Sequence, residues 1–211
     1  MTVFTIEQLR PIKDGMTISR DAKMGQETTV TFFSLGKDTS ISQERYDVTA
    51  TYIGAKGNAE FLIGENAKKE TVTYGDCLIV PGGTLCGVET ATGTVYTEII
   101  MKKETNMNSI VKSGEVKDLI SYEEGSIANL DVVSNSTMKF VLMAFDEGTG
   151  LTPHRAPGNA IIFALEGKAT IGYEGKDYTL SAGENFRFDK NGLHSVTAQG
   201  KFKMALLLVL E

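Results

Sequence analysis

Histidine is the residue type best suited to chemistry near neutral pH, and this chain has only two, His154 and His194. Unperturbed imidazole changes charge near pH 6.5, and its neutral form binds divalent metals. Both histidines lie in the second half of the chain, 40 residues apart. If the fold brings them together, they can hold a metal ion, exchange protons with a substrate, or hydrogen-bond a ligand.

An internal repeat places both histidines in the second of two copies. Gly57 aligns with Gly167 at an offset of 110 residues, and Cys86 aligns with His194 at an offset of 108. The change of two residues falls in the polar stretch 64–73, where a hairpin loop absorbs insertions most easily. The repeat therefore predicts two related domains, and the first copy has a cysteine in place of the second histidine.

The elements that must position these residues are predicted to be short strands. Apolar alternation interrupted by Gly and Asn-Gly is typical of a many-stranded β protein. Only Ile6 to Leu9 and Gly114 to Ile120 look briefly helical, and each would open one copy. We predict an all-β fold of two tandem barrels or jelly rolls, with domains at residues 1–104 and 105–211. The polar segment Lys102 to Asn108 is the expected linker.

Composition argues against several classes of function. Hydrophobic residues make up 41% and charged residues 23% of the chain, which is typical of a globular protein. A net charge of −6 argues against a nucleic-acid partner. We expect no secretory signal, because residues 1–8 include acidic and polar side chains, and no membrane span, because no apolar run approaches about 18 residues. With only Cys77 and Cys86, we expect a cytoplasmic protein. We also expect a monomer or a homodimer.

Two segments of the second copy resemble the signature motifs of the cupin superfamily. Gly150 to Gly167, which contains His154, resembles the first motif, G-x5-HxH-x3,4-E-x6-G. Gly183 to His194 resembles the start of the second, G-x5-P-x-G-x2-H-x3-N, and Gly75 to Cys86 does so in the first copy. The resemblance covers nearly the whole chain, once per copy. It implies a bicupin with two double-stranded β-helix (jelly-roll) barrels.

The family's motifs imply a metal site of three histidines and one glutamate inside the barrel. In the second copy, the resemblance places His154 and His194 at two of these positions, and Ala156 and Ala160 at the other two. It implies a ligand pocket in this copy, with Ile162 as a further lining residue. The replacement of a histidine and the glutamate by alanines is similar to the pattern in small, single-domain bacterial cupins.

In the first copy, the resemblance and the repeat offset together give a vestigial pocket formed by Glu44, Tyr46, Ala50 and Cys86. None of these residues is a histidine, although a glutamate and a cysteine could still hold zinc. We expect this pocket to be metal-free and tightly filled. We also expect Cys86 to be buried, with a raised thiol pKa.

Three roles remain open for the histidine pair of the second copy. His154 and His194 are expected to hold one divalent metal ion (Zn, Fe, Mn or Ni), to act without metal, or to have no function. The motif geometry predicts that the two rings lie within roughly 3 to 5 Å of each other. Because like charges at this distance repel, at least one ring should titrate below about 6.5. By alternation, Arg155 faces away from His154, and either Arg187 or Phe188 lines the pocket.

The function predicted from these residues is small-molecule binding by the C-terminal barrel. A metal-dependent oxygenase or isomerase is one form of it. The alternatives are a non-catalytic ligand-binding cupin, a structural cupin, and a metal-free epimerase that uses Tyr173 or Tyr178 as its acid. The sequence leaves open whether the chain is an enzyme.

Overall fold

The fold consists of two all-β units, seen in a computed structural model that describes residues 3–101 and 114–211. The first unit spans residues 6–115, and the second combines residues 3–5 with residues 116–211. The predicted linker, Lys102 to Asn108, lies outside the described residues, and so does the predicted boundary between residues 104 and 105.

The first unit opens with the short helix α1 (Ile6–Leu9), where a helix was predicted, and continues as strands. These strands are β1 (Thr17–Asp21), β2 (Thr28–Leu35), β3 (Thr39–Arg45), β4 (Ala50–Gly57), β5 (Ala59–Ile63), β6 (Lys68–Val72), β7 (Asp76–Val80), β8 (Leu85–Thr90), β9 (Thr94–Met101) and β10 (Gly114–Glu115).

The strands of the first unit form two sheets that share one hydrophobic core. One sheet has the order β1-β2-β9-β4-β7-β10, and the other has the order β3-β8-β5-β6. Tyr52 of the first sheet packs against Phe61 of the second, with ring centroids 4.5 Å apart. Among the described strands the sheets stay open, so the unit is a jelly-roll sandwich and not a closed hydrogen-bonded barrel.

The second unit has a 3-10 turn at Val116–Leu119, where a short helical segment was predicted, and then seven strands. These are β11 (Ile127–Ser134), β12 (Met138–Phe145), β13 (Gly150–Arg155), β14 (Asn159–Tyr173), β15 (Lys176–Ser181), β16 (Asn185–Phe188) and β17 (Leu193–Val209). Their order is β11-β12-β17-β14-β15, with β13 paired to β17 and β16 paired to β14.

Two long strands of the second unit contribute to both of its faces. The register between β14 and β17 shifts between Ala164 and Glu166, and again between Gly167 and Ala169. Such bulges bend a strand sharply, so the first part of β14 pairs with β16 and its second part pairs with β15. A core of aliphatic and phenylalanine side chains fills the space inside.

The two units repeat the same backbone hydrogen bonds at the predicted offsets. The Gly83 N–H donates to the Tyr46 carbonyl in the first unit, and the Asn191 N–H donates to the Ala156 carbonyl in the second. Each equivalent pair differs by 108 or 110 residues, as the sequence alignment requires. The alignment of the two copies is therefore reproduced in three dimensions at these positions.

One glycine of each copy has a conformation that the fold requires. Gly57 and Gly167 have φ angles of +68° and +73°. A Cβ atom on Gly57 would lie 2.2 Å from the Gly93 carbonyl oxygen, and one on Gly167 would lie 1.9 Å from the Lys201 carbonyl oxygen. Both the left-handed backbone and the close approach of a neighbouring strand exclude a side chain here.

In the part of the chain that the structure describes, no helix is long and apolar enough to cross a membrane.

Candidate functional site

The histidine pair, His154 and His194, lies at the join of β13 and β17. The two residues are direct partners across these antiparallel strands, so their side chains share one face. Their ring centroids are 4.2 Å apart and their planes are inclined by 54°. The prediction that the two rings lie side by side is confirmed.

Backbone carbonyl groups fix the proton on the same nitrogen of each ring. His154 Nδ1 is 2.8 Å from the Thr152 carbonyl oxygen, and His194 Nδ1 is 3.2 Å from the Gly192 carbonyl oxygen. A carbonyl oxygen only accepts hydrogen bonds, so each Nδ1 must be the donor. In the neutral rings, Nε2 is then the atom with the free lone pair that can accept a proton or bind a metal.

The environments of the two histidines differ. His154 is exposed, whereas His194 is buried and packs on Phe188, with ring centroids 4.1 Å apart. Burial lowers the pKa of His194, and the nearby His154 lowers it further, while the hydrogen bond to Gly192 opposes this. This matches the expectation that one ring of the pair titrates below its ordinary value.

The other residues of the predicted second-unit pocket lie in the apolar core of the second unit. Ala156, Ala160 and Ile162 are all buried, and they belong to the same apolar cluster as Phe188. Either Arg187 or Phe188 was expected to line the pocket. Phe188 is the one that belongs to the buried cluster. The Nε atom of Arg187 instead lies 3.6 Å from Oδ1 of Asp189. Because two of the four motif positions are alanines, the two histidines are the polar residues among these four.

Tyr173 is a further residue of this face. It pairs with His194 across β14 and β17, on the opposite side from His154, so the three side chains lie in one cross-strand row. Its hydroxyl group is 3.4 Å from the Asp189 N–H, and its ring lies against Gly192, where a Cβ atom would be 2.6 Å away. The sequence indicated Tyr173 only as a candidate acid, without a position.

Equivalent arginines support the turn that precedes β8 and β17. Arg155 donates through Nη1 to the Asn191 carbonyl oxygen at 2.7 Å, and Arg45 makes the same contact with Gly83. Both arginines are exposed, as the parity argument predicted for Arg155. Asn191 has a φ of +67° where the first unit has a glycine, a conformation that asparagine tolerates better than most residues.

The pocket of the first unit is not tightly filled, and that expectation is wrong. A cavity of about 210 Å³ lies among residues of both sheets, including Glu44, Tyr46 and Cys86. Ala50 is buried in the adjoining core and is not part of the lining. The aromatic side chains pack along the wall on one another, and Ser42 and Gly87 leave room beside them. We call this space the acidic cavity.

Cys86 itself agrees with the expectation. It is a buried free thiol, and burial raises its pKa to about 11. It pairs directly with Glu44 across β3 and β8, as His194 pairs with His154 in the second unit. This equivalence supports the alignment of the four positions.

Glu98 is the functional candidate that sequence reasoning missed. It lies on β9, is 8% exposed, and lines the acidic cavity. Burial raises the pKa of Glu98 to about 7, against the effect of hydrogen bonds from the hydroxyl groups of Tyr52 and Tyr46. The sequence puts Glu98 and Tyr96 on the same face of a predicted strand, but it does not show that this face lines a cavity.

The donor set falls short of the metal site that the motifs imply. Among the described residues, no three His, Cys, Asp or Glu side chains cluster as a metal site would require. The histidine pair supplies two imidazole nitrogens, whereas zinc sites use at least three protein ligands. The residues present therefore do not form a complete site for a resident metal.

Comparison with known proteins agrees with this architecture. Residues 141–210 match the family model described as "Cupin domain". No curated protein matches the chain. The Cupin 2 conserved barrel domain protein from Leptotrichia buccalis superposes with a TM-score of 0.88 and 26% identity, covering 99% of this chain and 96% of that one.

An enzyme of known activity has the same fold at lower identity. A variant of salicylate 1,2-dioxygenase from Pseudoaminobacter salicylatoxidans superposes with a TM-score of 0.72 and 12% identity, covering 97% of this chain and 82% of that one. The same enzyme with gentisate adducts gives a TM-score of 0.68 and 13% identity, covering 97% and 80%. The match of residues 141–210 to the cupin model, and the fold shared with the Leptotrichia buccalis protein over the whole chain, support the cupin superfamily that the motifs predicted.

Proposed function

We propose that this protein is a bicupin that binds a small molecule in its second unit, with the histidine pair as the polar contact. The observation that carries the proposal is the side-by-side placement of His154 and His194, with both Nδ1 atoms hydrogen-bonded to carbonyl groups. This leaves two Nε2 lone pairs as acceptors, and Phe188, which packs on His194, belongs to the apolar core that also contains Ala156, Ala160 and Ile162. A hydroxyl-bearing organic molecule suits such a face.

The bicupin part of the proposal is supported by the repeated hydrogen bonds. Glu44 pairs with Cys86 as His154 pairs with His194, and the turn before β8 has the same contacts as the turn before β17. Identical contacts at constant offsets are expected when one unit has been duplicated.

The burial of His194 affects the acid–base behaviour of its ring. The lowered pKa of His194 keeps its ring neutral near pH 7, so it accepts a hydrogen bond from a ligand hydroxyl group. Tyr173, in the same row, adds a hydroxyl group near the turn. These groups can orient a ligand, and a metal-free acid–base reaction is within their chemistry.

A second candidate is metal binding by the pair together with the ligand. The specific observation in its favour is that both rings present the same nitrogen, Nε2, as the unprotonated one. A chelating acid or water would then supply the remaining ligands of a Zn, Fe, Mn or Ni ion. An oxygenase or isomerase activity belongs to this candidate, and we assign no reaction step to it.

The test compares ligand binding by the unmodified protein with binding by His154→Ala and His194→Ala. Gentisate and salicylate, named with the dioxygenase of the same fold, are first probes, and calorimetry would be run with and without each metal. We expect binding that each histidine substitution weakens about tenfold and that Lys139→Ala, at an exposed position of β12, leaves unchanged.

Elemental analysis of protein purified without a metal-affinity column separates the two candidates. Binding without added metal supports the first, and binding that needs the metal supports the second. If a panel of small hydroxylated molecules and acids binds equally well to the unmodified protein and to both histidine variants, then the proposal is wrong.

A further inference from the structure

The acidic cavity of the first unit is a partly enclosed space lined by carboxyl groups. Two carboxyl groups line it, Glu44 from β3 at the exposed side and Glu98 from β9 at the buried side. None of the described residues that line it is Lys, Arg or His. A buried carboxylate without a basic neighbour is costly, so a positive ligand would offset a cost that this fold carries.

Aromatic rings form the walls around the buried carboxyl group. Phe33 stacks on Tyr96 with centroids 5.2 Å apart and planes inclined by 11°, and Phe61 meets Tyr96 edge-on at 5.5 Å. Tyr52 packs on Phe61 and donates a hydrogen bond to Glu98. Aromatic faces attract cations, and several of them around an ammonium group are a recurrent recognition device.

These polar and aromatic groups are not part of the packing that both units share. At the repeat offsets, Glu98 corresponds to Leu206 and Tyr96 corresponds to Met204. Leu206 packs against the core of the second unit and Met204 is buried within it. The same fold is thus stable with apolar residues at these positions, so the carboxyl group and the ring of the first unit are not structural necessities.

We propose that the acidic cavity is a metal-free binding site for a small organic cation, such as an alkylammonium compound. Glu98 forms the ion pair, the aromatic rings contact the methyl or methylene groups around the nitrogen, and Glu44 adds negative charge at the entrance. The volume of about 210 Å³ lies below the roughly 300 Å³ of pockets for drug-sized ligands, so the cation is small. An anionic aromatic compound would be repelled here.

Choline and its neutral carbon isostere, dimethylbutanol, are matched probes for this proposal, because they differ in charge and hardly in shape. Calorimetry at pH 8 should show choline binding at least about tenfold more tightly than the alcohol. Glu98→Gln should remove that preference, while Glu89→Gln, which deletes a charge paired with Lys69 on the outer surface, should retain it.

The pH dependence provides a second readout. The groups that face Glu98 from the surrounding elements are Glu44, Tyr46, Tyr52, Cys86 and Tyr96. The pKa values of the tyrosines and of the thiol are raised above their ordinary range, so none of these ionises between pH 6 and 8. Choline affinity should therefore increase as pH rises through about 7, and the increase should vanish in Glu98→Gln.

The outcomes are decisive in both directions. Equal affinity for choline and dimethylbutanol, no saturable binding of choline or methylammonium, or unchanged selectivity in Glu98→Gln would each overturn the proposal. If Glu98→Gln fails to fold, Glu98→Leu, which copies the second unit's residue, replaces it. His154→Ala and His194→Ala should bind choline normally, so this site and the proposed function are tested separately.

Discussion

Glu98 illustrates how a single residue can be retained at a cost to stability. Its raised pKa, about 7 in the folded state, means that the folded chain keeps a proton that the unfolded chain has already released. The free energy of unfolding should therefore fall as pH rises from about 4.5 to 7. A shift of this size corresponds to a few kcal/mol at most.

Glu98→Gln should consequently stabilise the protein at pH 8, by on the order of 1–3 kcal/mol, because the amide has no charge to bury. At pH 4.5 the gain should shrink toward zero. Urea denaturation at both pH values measures the difference, with Glu89→Gln as the control for a lost surface charge. An equal effect at both pH values would show that Glu98 is not the group that titrates.

His194 also predicts a pH dependence of stability, but with the opposite sign to that of Glu98. Its pKa is lowered in the folded state, so its contribution to stability is complete above about 6.5 and is lost as pH falls below that value. NMR titration should give His194 a pKa below its ordinary value of about 6.5, and His154→Ala should raise that pKa, because the electrostatic effect of the neighbouring ring has been removed. A pKa of His194 that is unchanged in His154→Ala would contradict the interaction between the rings.

The histidine pair was predictable from sequence, whereas Glu98 was not. His154 and His194 stand at motif positions, and antiparallel pairing brings such positions together whatever the rest of the barrel contains. Glu98 belongs to no motif. Its burial depends on the pairing of β9 between β2 and β4, a long-range register that alternation alone does not specify.

At the scale of elements, two of the strands that hold the candidate sites have a weak sequence signal. β3 and β13 carry Glu44 and His154, and most of their residues are exposed or half-buried. Apolar alternation predicts strands such as β2 and β12, which have a buried face, but it cannot predict a strand that is largely exposed. Only the motifs indicated that β13 exists.

The close approach between β14 and β17 makes an element-scale prediction. Gly167→Ala combines a left-handed backbone with a Cβ atom that would be 1.9 Å from the Lys201 carbonyl oxygen. Gly200→Ala is the matched control, because Gly200 has a φ of +82° but a Cβ atom there would meet nothing within 4 Å. Chemical denaturation should show a loss of about 1–2 kcal/mol for Gly200→Ala and clearly more for Gly167→Ala. Equal losses would mean that strand spacing does not matter here.

At the scale of the whole molecule, the two units are not consecutive in sequence. Phe4 exchanges backbone hydrogen bonds with Asn185, at 3.0 and 2.8 Å, and Val3 packs against the core of the second unit. The first unit is therefore a continuous segment, which ends with β10 because that strand pairs with β7, and it is inserted in sequence between the two segments of the second unit. An alignment of two consecutive repeats does not predict that residues before the first unit belong to the second unit.

In a chain that begins at Ile6, the second unit should thus be less stable, although the removed residues precede the first unit in sequence. Hydrogen exchange should show faster exchange of the Asn185 amide, because its acceptor at Phe4 is lost, while the β4 and β9 amides keep their protection. A chain that begins at Val3 is the matched control and should behave as the full chain does. Faster exchange confined to the first unit would contradict this assignment.

The pairing of Phe4 with Asn185 also sets an order of events during synthesis. The partners are separated by 181 residues, so the ribosome adds the second one roughly 10–40 s after the first at ordinary elongation rates. Throughout that interval Asn185 does not yet exist for Phe4 to pair with, while the unit that follows Phe4 can already fold. Phe4 is therefore made early but can pair only late, because closure of the second unit requires that translation has passed residue 185.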